Sequence, residues 1–400
     1  MIPSALAKHL FSTYPEYRLD HLQPRNCVHK QIVEELNELA GKSNDLLKVE
    51  QLGCSLDGRT ISLVTCGWGS KRILVWSQMH GDESTGTLAL MDMFNFVVHR
   101  GSDEMWLEKL LEESTLHFIP MLNPDGAERV ERRTAVGIDL NRDARSLATP
   151  EASILRNAQR RLGPTFGFHL HDQEPSTVGN SKAVTAIALL APPLDEKKTT
   201  PRVRLRAMRV GALIVRSLNQ FIEGHIATYD DSFEPRAFGE NMQRWGTSTL
   251  LIESGHWPND WEKVFIRQLN YVAIFTAVHA IGNGSYQDVD LDYYSQLKAN
   301  GKSVYDFIIR NLVMEHPKGW SHPVDVGLSF ETKHNKPGQN PGVKASRVAT
   351  IKDIGDLSVY TGLQVVDGHG RRIATTTFAT EQVLPLEKLF DKLQLYYPTP

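Results

Sequence analysis

His80-Gly81-Asp82-Glu83 sets an imidazole and a carboxylate three residues apart, a spacing that can turn both side chains onto one cation. Zinc accepts both donors at roughly 2.0–2.2 Å. A catalytic zinc takes three protein ligands and keeps a fourth position for water. The third donor must come from elsewhere in the chain, and His169-Leu170-His171 offers two histidines. Residues two apart in a strand share a face, so both rings can point the same way. His171 lies nearer the strand end, before the turn-forming DQEPST, and is the ligand expected; His169 is then packed or supports it. Glu253 ends the apolar run LLIE, where a carboxylate is costly unless paired or used. It suits a general base that takes a proton from water and passes it to a leaving amine. The loop from Met121 to Arg145 supplies charge. Asn141-Arg142 can grip a carboxylate, since arginine presents a planar two-pronged donor. Arg132 or Arg133 can stand beside a carbonyl oxygen as it becomes an oxyanion. Taken singly, each feature also reads as a solvated loop, a buried hydrogen-bonded histidine or a strand-end glutamate.

These residues need elements to hold them. RILVWSQ at 72–78 is a nearly continuous apolar run, as in a strand buried on both faces, and it leads directly into MHGDEST. A helix follows in TGTLALMDMFNFVVH. Strands are expected at 115–120, 165–171, 183–191 and 248–254, with helices at 150–161, 203–222 and 259–281. Upstream, 28–42 reads as an amphipathic helix on Ile32, Leu36 and Leu39. LLKVEQLG and TISLVTCG then read as a hairpin turning at Asp57-Gly58. Alternating strands and helices predict an α/β fold: a mixed, largely parallel central sheet with helices on both faces. In such sheets ligands bind beyond the carboxyl ends of the strands, where the histidines and Glu253 fall.

Past residue 283 the texture changes. One helix is expected in KSVYDFIIRNL, then short strands between Gly, Pro and Asn, with HNKPGQNPGVK at 334–344 as a solvent loop. The expected division is a catalytic domain over 1–283 and a small β-rich accessory domain over 284–400.

The chain has 400 residues, 41% hydrophobic and 23% charged, with a formal net charge of -3. That balance gives no reason to expect a nucleic-acid partner or an anionic membrane surface, and no apolar run is read as a bilayer span. The first residues lack a basic segment followed by an apolar one. The three cysteines, Cys27, Cys54 and Cys66, make neither a disulfide framework nor a cysteine metal site. A cytoplasmic location is the expectation.

Together, MHGDE, NPDG at 123–126, DLNRD at 139–143, HLHD at 169–172 and LLIESG at 250–255 resemble, in content and order, the M14 zinc metallocarboxypeptidases of the carboxypeptidase A type. The resemblance covers roughly residues 28–281. It implies one zinc ion on His80, Glu83 and His171, a carboxylate grip by Asn141 and Arg142, Arg133 (with Arg132 one step away) as the oxyanion-stabilising arginine, and Glu253 as general base. Many members carry a tyrosine shortly before the last strand; Tyr229 is the only tyrosine in the corresponding loop here. The implied substrate is a peptide or acyl-amino acid with a free carboxylate. Two other readings stay open: a deacylase resembling succinylglutamate desuccinylase or aspartoacylase, and a non-catalytic binding module on the same scaffold.

Overall fold

The computed structural model describes residues 3–24, 27–333, 346–375 and 382–385. The 334–344 stretch lies outside these. In chain order the helices are α1 (Pro3–Tyr17), α2 (His29–Lys42), α3 (Thr85–His99), α4 (Glu104–Glu113), α5 (Pro124–Arg129), α6 (Pro150–Leu162), α7 (Arg202–Ile222), α8 (Phe238–Arg244), α9 (Val264–Asn283) and α10 (Asp292–Ser295). The strands are β1 (Lys48–Cys54), β2 (Thr60–Cys66), β3 (Lys71–Trp76), β4 (Ser114–Ile119), β5 (Phe166–Asp172), β6 (Ser176–Val178), β7 (Ile187–Leu190), β8 (Ile226–Thr228) and β9 (Ser248–Ser254). They continue with β10 (Asn300–Ser303), β11 (Tyr305–Glu315), β12 (Ser321–Lys333), β13 (Ser346–Gly355), β14 (Gly362–Asp367), β15 (Arg372–Ala374) and β16 (Val383–Pro385).

The chain folds into two compact units. The first comprises 1–173, 186–255 and 263–300. Its eight-stranded sheet runs β1-β2-β4-β3-β5-β9-β7-β8. The middle pairs β4/β3, β3/β5 and β5/β9 are parallel, and so is β7/β8. The β1/β2, β2/β4 and β9/β7 pairs are antiparallel, giving the mixed sheet expected. Helices flank it. The central strands are buried along nearly their whole length, which is why ILVW, FGFHLH and TLLIE carry so few charges. One core cluster packs Leu74 and Trp76 of β3 against Ile61, Leu155 and Phe238.

Local signals place the elements. Gly58 takes φ +82° in the β1–β2 turn, a conformation that favours glycine. α2 buries Ile32, Leu36 and Leu39 as its spacing predicts. α6 starts on Thr149, whose hydroxyl accepts from the Ala152 amide, with Pro150 in the first turn, and it ends on Gly163.

α9 is long and apolar enough to cross a bilayer, contrary to the sequence reading. Almost all of it is buried within this unit, and a helix that is apolar all round is what such burial requires. α3 and α9 are tied by a buried ion pair between Asp92 and Arg267, and Asp92 also accepts from Tyr14 Oη at 2.8 Å.

The second unit comprises 174–185, 256–262 and 301–400. Its main sheet runs β14-β11-β12-β13-β16, with β15 also on β11. The helix expected in KSVYDFIIRNL is instead β11. Phe307, Ile308 and Ile309 are buried there between β12 and β14, and strand pairing overrides the helical spacing. The expected break after residue 283 falls after Asn300. Tyr294 explains this: it is buried in the first unit, and its hydroxyl accepts from the Ala191 amide at 2.7 Å.

Candidate active site

β3 delivers the first two residues. After Trp76 the chain turns through Gln78, at φ +48°, into His80-Gly81-Asp82-Glu83 and then enters α3. The NPDG segment braces this turn. Asn123 receives the Gly126 amide at 2.9 Å and donates to the Met79 carbonyl at 3.2 Å. A side chain at Gly81 would meet the Gly126 carbonyl carbon at 2.0 Å, so the two backbones can touch only because position 81 is glycine. Asp125 of the same segment is buried and accepts from Ser55 Oγ at 2.7 Å, Asp57 N at 3.0 Å and Arg59 Nη1 at 2.7 Å. The DGR hairpin turn is thereby tied to the loop under the site.

His80, Glu83 and His171 are buried, and their donor atoms lie within 4.8 Å of one another. His80 Nδ1 is 2.7 Å from Glu83 Oε1, and His171 Nδ1 is 2.6 Å from Glu83 Oε2. The far nitrogen of each ring is also held: His80 Nε2 by Asp139 Oδ1 at 3.1 Å, His171 Nε2 by His169 Nε2 at 2.7 Å. Burial works against the Glu83 carboxylate, but His171 and His80 outweigh it and hold its pKa low. Burial pushes His171 down, toward the neutral imidazole that binds metal. Two imidazoles and a carboxylate converging in a buried pocket fit zinc in ligand type and number.

Glu253 pairs with His171 in the β5/β9 register, so the two side chains leave the sheet at the same height. Glu253 is buried, and its Oε2 has no partner among the described residues. Burial, then Glu83 and Asp172, raise its pKa well above the usual carboxylate range. Asp172 is itself held by Lys263 Nζ at 3.2 Å and Thr85 Oγ1 at 2.6 Å.

The two adjacent arginines separate. Arg132 lines the cleft, with Nη1 3.1 Å from Glu83 Oε1 and Nη2 3.1 Å from Asp139 Oδ2. Arg133 is exposed, donates to the Gly137 carbonyl at 3.0 Å and does not line the cleft. Of the two arginines that the sequence offers, with Arg133 expected, the irregular loop brings Arg132 to the cleft wall and turns Arg133 away. Asn141 accepts from the Phe238 amide with its side-chain oxygen at 2.9 Å, which leaves its NH2 as the free end. Arg142 lies beside it, half-exposed, with Nε 3.2 Å from Glu234 Oε2. Arg236 and Arg142 hold Glu234 down at about 2.

The cleft encloses about 370 Å³. Besides these residues it is lined by Tyr229 and Glu240, which the motifs did not single out as site residues. Burial, with Glu253 and Glu83 near, pushes the Tyr229 hydroxyl up to about 12. Burial lifts the Glu240 carboxyl to about 7. Their clue in the sequence was only their place in the loop before β9.

Residues 32–179 match the family model described as zinc carboxypeptidase, peptidase M14. An uncharacterized protein of Zymomonas mobilis is 33% identical over 141 residues, 34% of this chain and 36% of that one. Carboxypeptidase 2 of Trichophyton rubrum is 27% identical over 105 residues, 26% of this chain and 19% of that one. These matches span only about a third or less of the relatives' lengths. Among solved structures, bovine thrombin-activatable fibrinolysis inhibitor, in complex with tick carboxypeptidase inhibitor, superposes with a TM-score of 0.52. It is 14% identical, over 66% of this chain and 98% of that one. Carboxypeptidase A of Helicoverpa armigera superposes with a TM-score of 0.50 at 16% identity, over 64% of this chain and 74% of that one. At such identities the likeness is one of fold. The match over residues 32–179, the shared fold and a His-Glu-His set suited to zinc agree, and they make this chain similar to the zinc carboxypeptidases of peptidase family M14.

Proposed function

We propose that this protein is a metallocarboxypeptidase that hydrolyses the amide bond before a free C-terminal carboxylate. The observation that carries the reading is Glu253: a buried carboxylate with one oxygen unpartnered among the described residues, in register with His171 across β5 and β9. His80, Glu83 and His171 would hold the zinc. When bound, zinc lowers the pKa of water to about 7 and polarises a carbonyl. Glu253, whose proton affinity is raised by burial, takes the proton of the attacking water and gives it to the departing amine. Arg132 turns its guanidinium toward the same cleft and donates to the oxygen that gains charge. Asn141 and Arg142 take the substrate carboxylate; Arg142 is free to do so once it exchanges its contact with Glu234.

The test is release of free amino acid from blocked dipeptides by purified protein. Turnover is expected with a free C-terminus, to vanish when that end is amidated, and to stop on chelation and return with zinc. Glu253→Gln should lower kcat by about 10²–10⁴-fold with zinc retained. Cleavage of N-acyl amino acids without cleavage of peptides would replace this reading by the deacylase.

A further inference from the structure

His169 has no task in the chemistry above, yet its setting is specific. It is fully buried in β5, and its ring lies on Trp76 with centroids 4.8 Å apart and planes 29° from parallel. The β3/β5 register sets Trp76 beside it. The His169 and His171 rings stand 4.0 Å apart, with 2.7 Å between their Nε2 atoms. Nδ1 of His169 meets no partner among the described residues.

The two histidines of the candidate metal site are thus supported in different ways. His80 is backed by a carboxylate, Asp139, which can only accept a proton from its Nε2. His171 is backed by an imidazole, which can accept or donate. That difference has consequences for the protons. If Nδ1 of His171 gives its lone pair to a cation, the one proton of that ring sits on Nε2. His169 must then accept with Nε2 and carry its own proton on Nδ1. If Nδ1 of His171 instead donates to Glu83, 2.6 Å away, the ring has no proton on Nε2. His169 then donates from Nε2. Each ring is neutral in both arrangements, so the pair trades tautomers without gaining or losing a proton.

We infer that His169 is a positioning residue for His171, holding its ring so that Nδ1 faces the metal, and that filling the site switches the tautomers of both histidines together. The inference rests on the zinc reading. Stacking on Trp76 keeps the His169 ring from turning away. Hydrogen-bonded partners of a metal-bound histidine typically account for 10–100-fold in metal affinity.

The experiment compares zinc affinity by competition with a chromophoric chelator in the full chain, wild type against His169→Phe and His169→Gln. Phenylalanine keeps a ring on Trp76 and removes the polar atom; glutamine keeps a polar terminus near Nε2. The expected result is about 10–100-fold weaker zinc binding for His169→Phe and a loss of no more than about threefold for His169→Gln. Wild-type affinity in His169→Phe, or an equal loss in both variants, overturns the inference and leaves the zinc site standing. No zinc binding by wild type overturns both. If His169→Phe does not fold, imidazole ¹⁵N spectra of wild type decide. Adding zinc should move the His169 proton from Nε2 to Nδ1, and an unchanged tautomer overturns the inference.

Discussion

At the scale of single residues, the cleft separates groups by what surrounds them rather than by their type. Glu83 and Glu253 are both buried glutamates, the first in the loop between β3 and α3 and the second near the end of β9. Two histidines hold the pKa of Glu83 low against its burial, while burial, with Glu83 and Asp172 near, raises that of Glu253. Opposite shifts of this kind suit a carboxylate that binds a cation and one that takes up a proton. The motifs made His80, Glu83, His171 and Glu253 legible, because each sits where a buried strand gives way to polar residues. The arginine was not legible. Arg132 and Arg133 share charge and context, and only the path of an irregular loop sends one inward. Arg132→Ala should therefore lower kcat by about 10²–10³-fold. Arg133→Ala, which loses only a contact to a loop carbonyl, should stay within about threefold of wild type. Steady-state kinetics on one blocked dipeptide checks both, and the opposite ranking would return the role to Arg133.

At the scale of elements, β3, β5 and β9 could be read from their apolar runs, and α2 and α6 from spacing and caps. β11 could not. Its Phe, Ile, Ile and Leu fit a helix as well as a strand, and the choice is made by β12 and β14, distant in sequence. α8 is seven residues long, too short for periodicity to show, yet it brings Glu240 to the cleft wall. That carboxyl carries a pH dependence with a definite sign. Its pKa is raised in the folded chain from 4.5 to about 7. The stabilising effect of keeping it protonated is complete below about 4.5 and is lost as pH rises toward 7. At pH 8 the folded state bears a penalty on the order of 3 kcal/mol from this group. Glu240→Gln should accordingly be more stable than wild type at pH 8, with the gap closing by pH 4.5. Urea denaturation at the two pH values measures it, and a gap independent of pH would show that the carboxyl is not held neutral.

At the scale of the whole chain, the sequence suggested two successive domains, and the structure has two units built from interleaved segments. The chain leaves the first unit after Gln173 and again after Gly255, just past the strands that bear His171 and Glu253, and returns each time. No local signal announces this, because the two segments read as loops running into an expected strand at 183–191 and an expected helix at 259–281. Within the second unit, Val184 packs with Val304 and Leu363, and Trp261 lies 5.4 Å from Phe330. Ending the chain at Asn300 should thus leave these apolar side chains uncovered. The truncated protein should bind more of a hydrophobic dye and melt at a lower temperature than the full chain. Equal dye binding and an unchanged melting temperature would mean that the two segments need no partner.

The interleaving also imposes an order on synthesis. Val184 emerges from the ribosome 120 residues before Val304. At about 5–20 residues per second this valine waits roughly 6–24 s for its neighbour. Asp172 and Ser254 likewise leave the ribosome with short tethers whose partners do not yet exist. In evolutionary terms, the second unit cannot be gained or shed as a cassette by cutting at one point. Any lineage that loses residues 301–400 must also rebuild the two loops that follow His171 and Glu253.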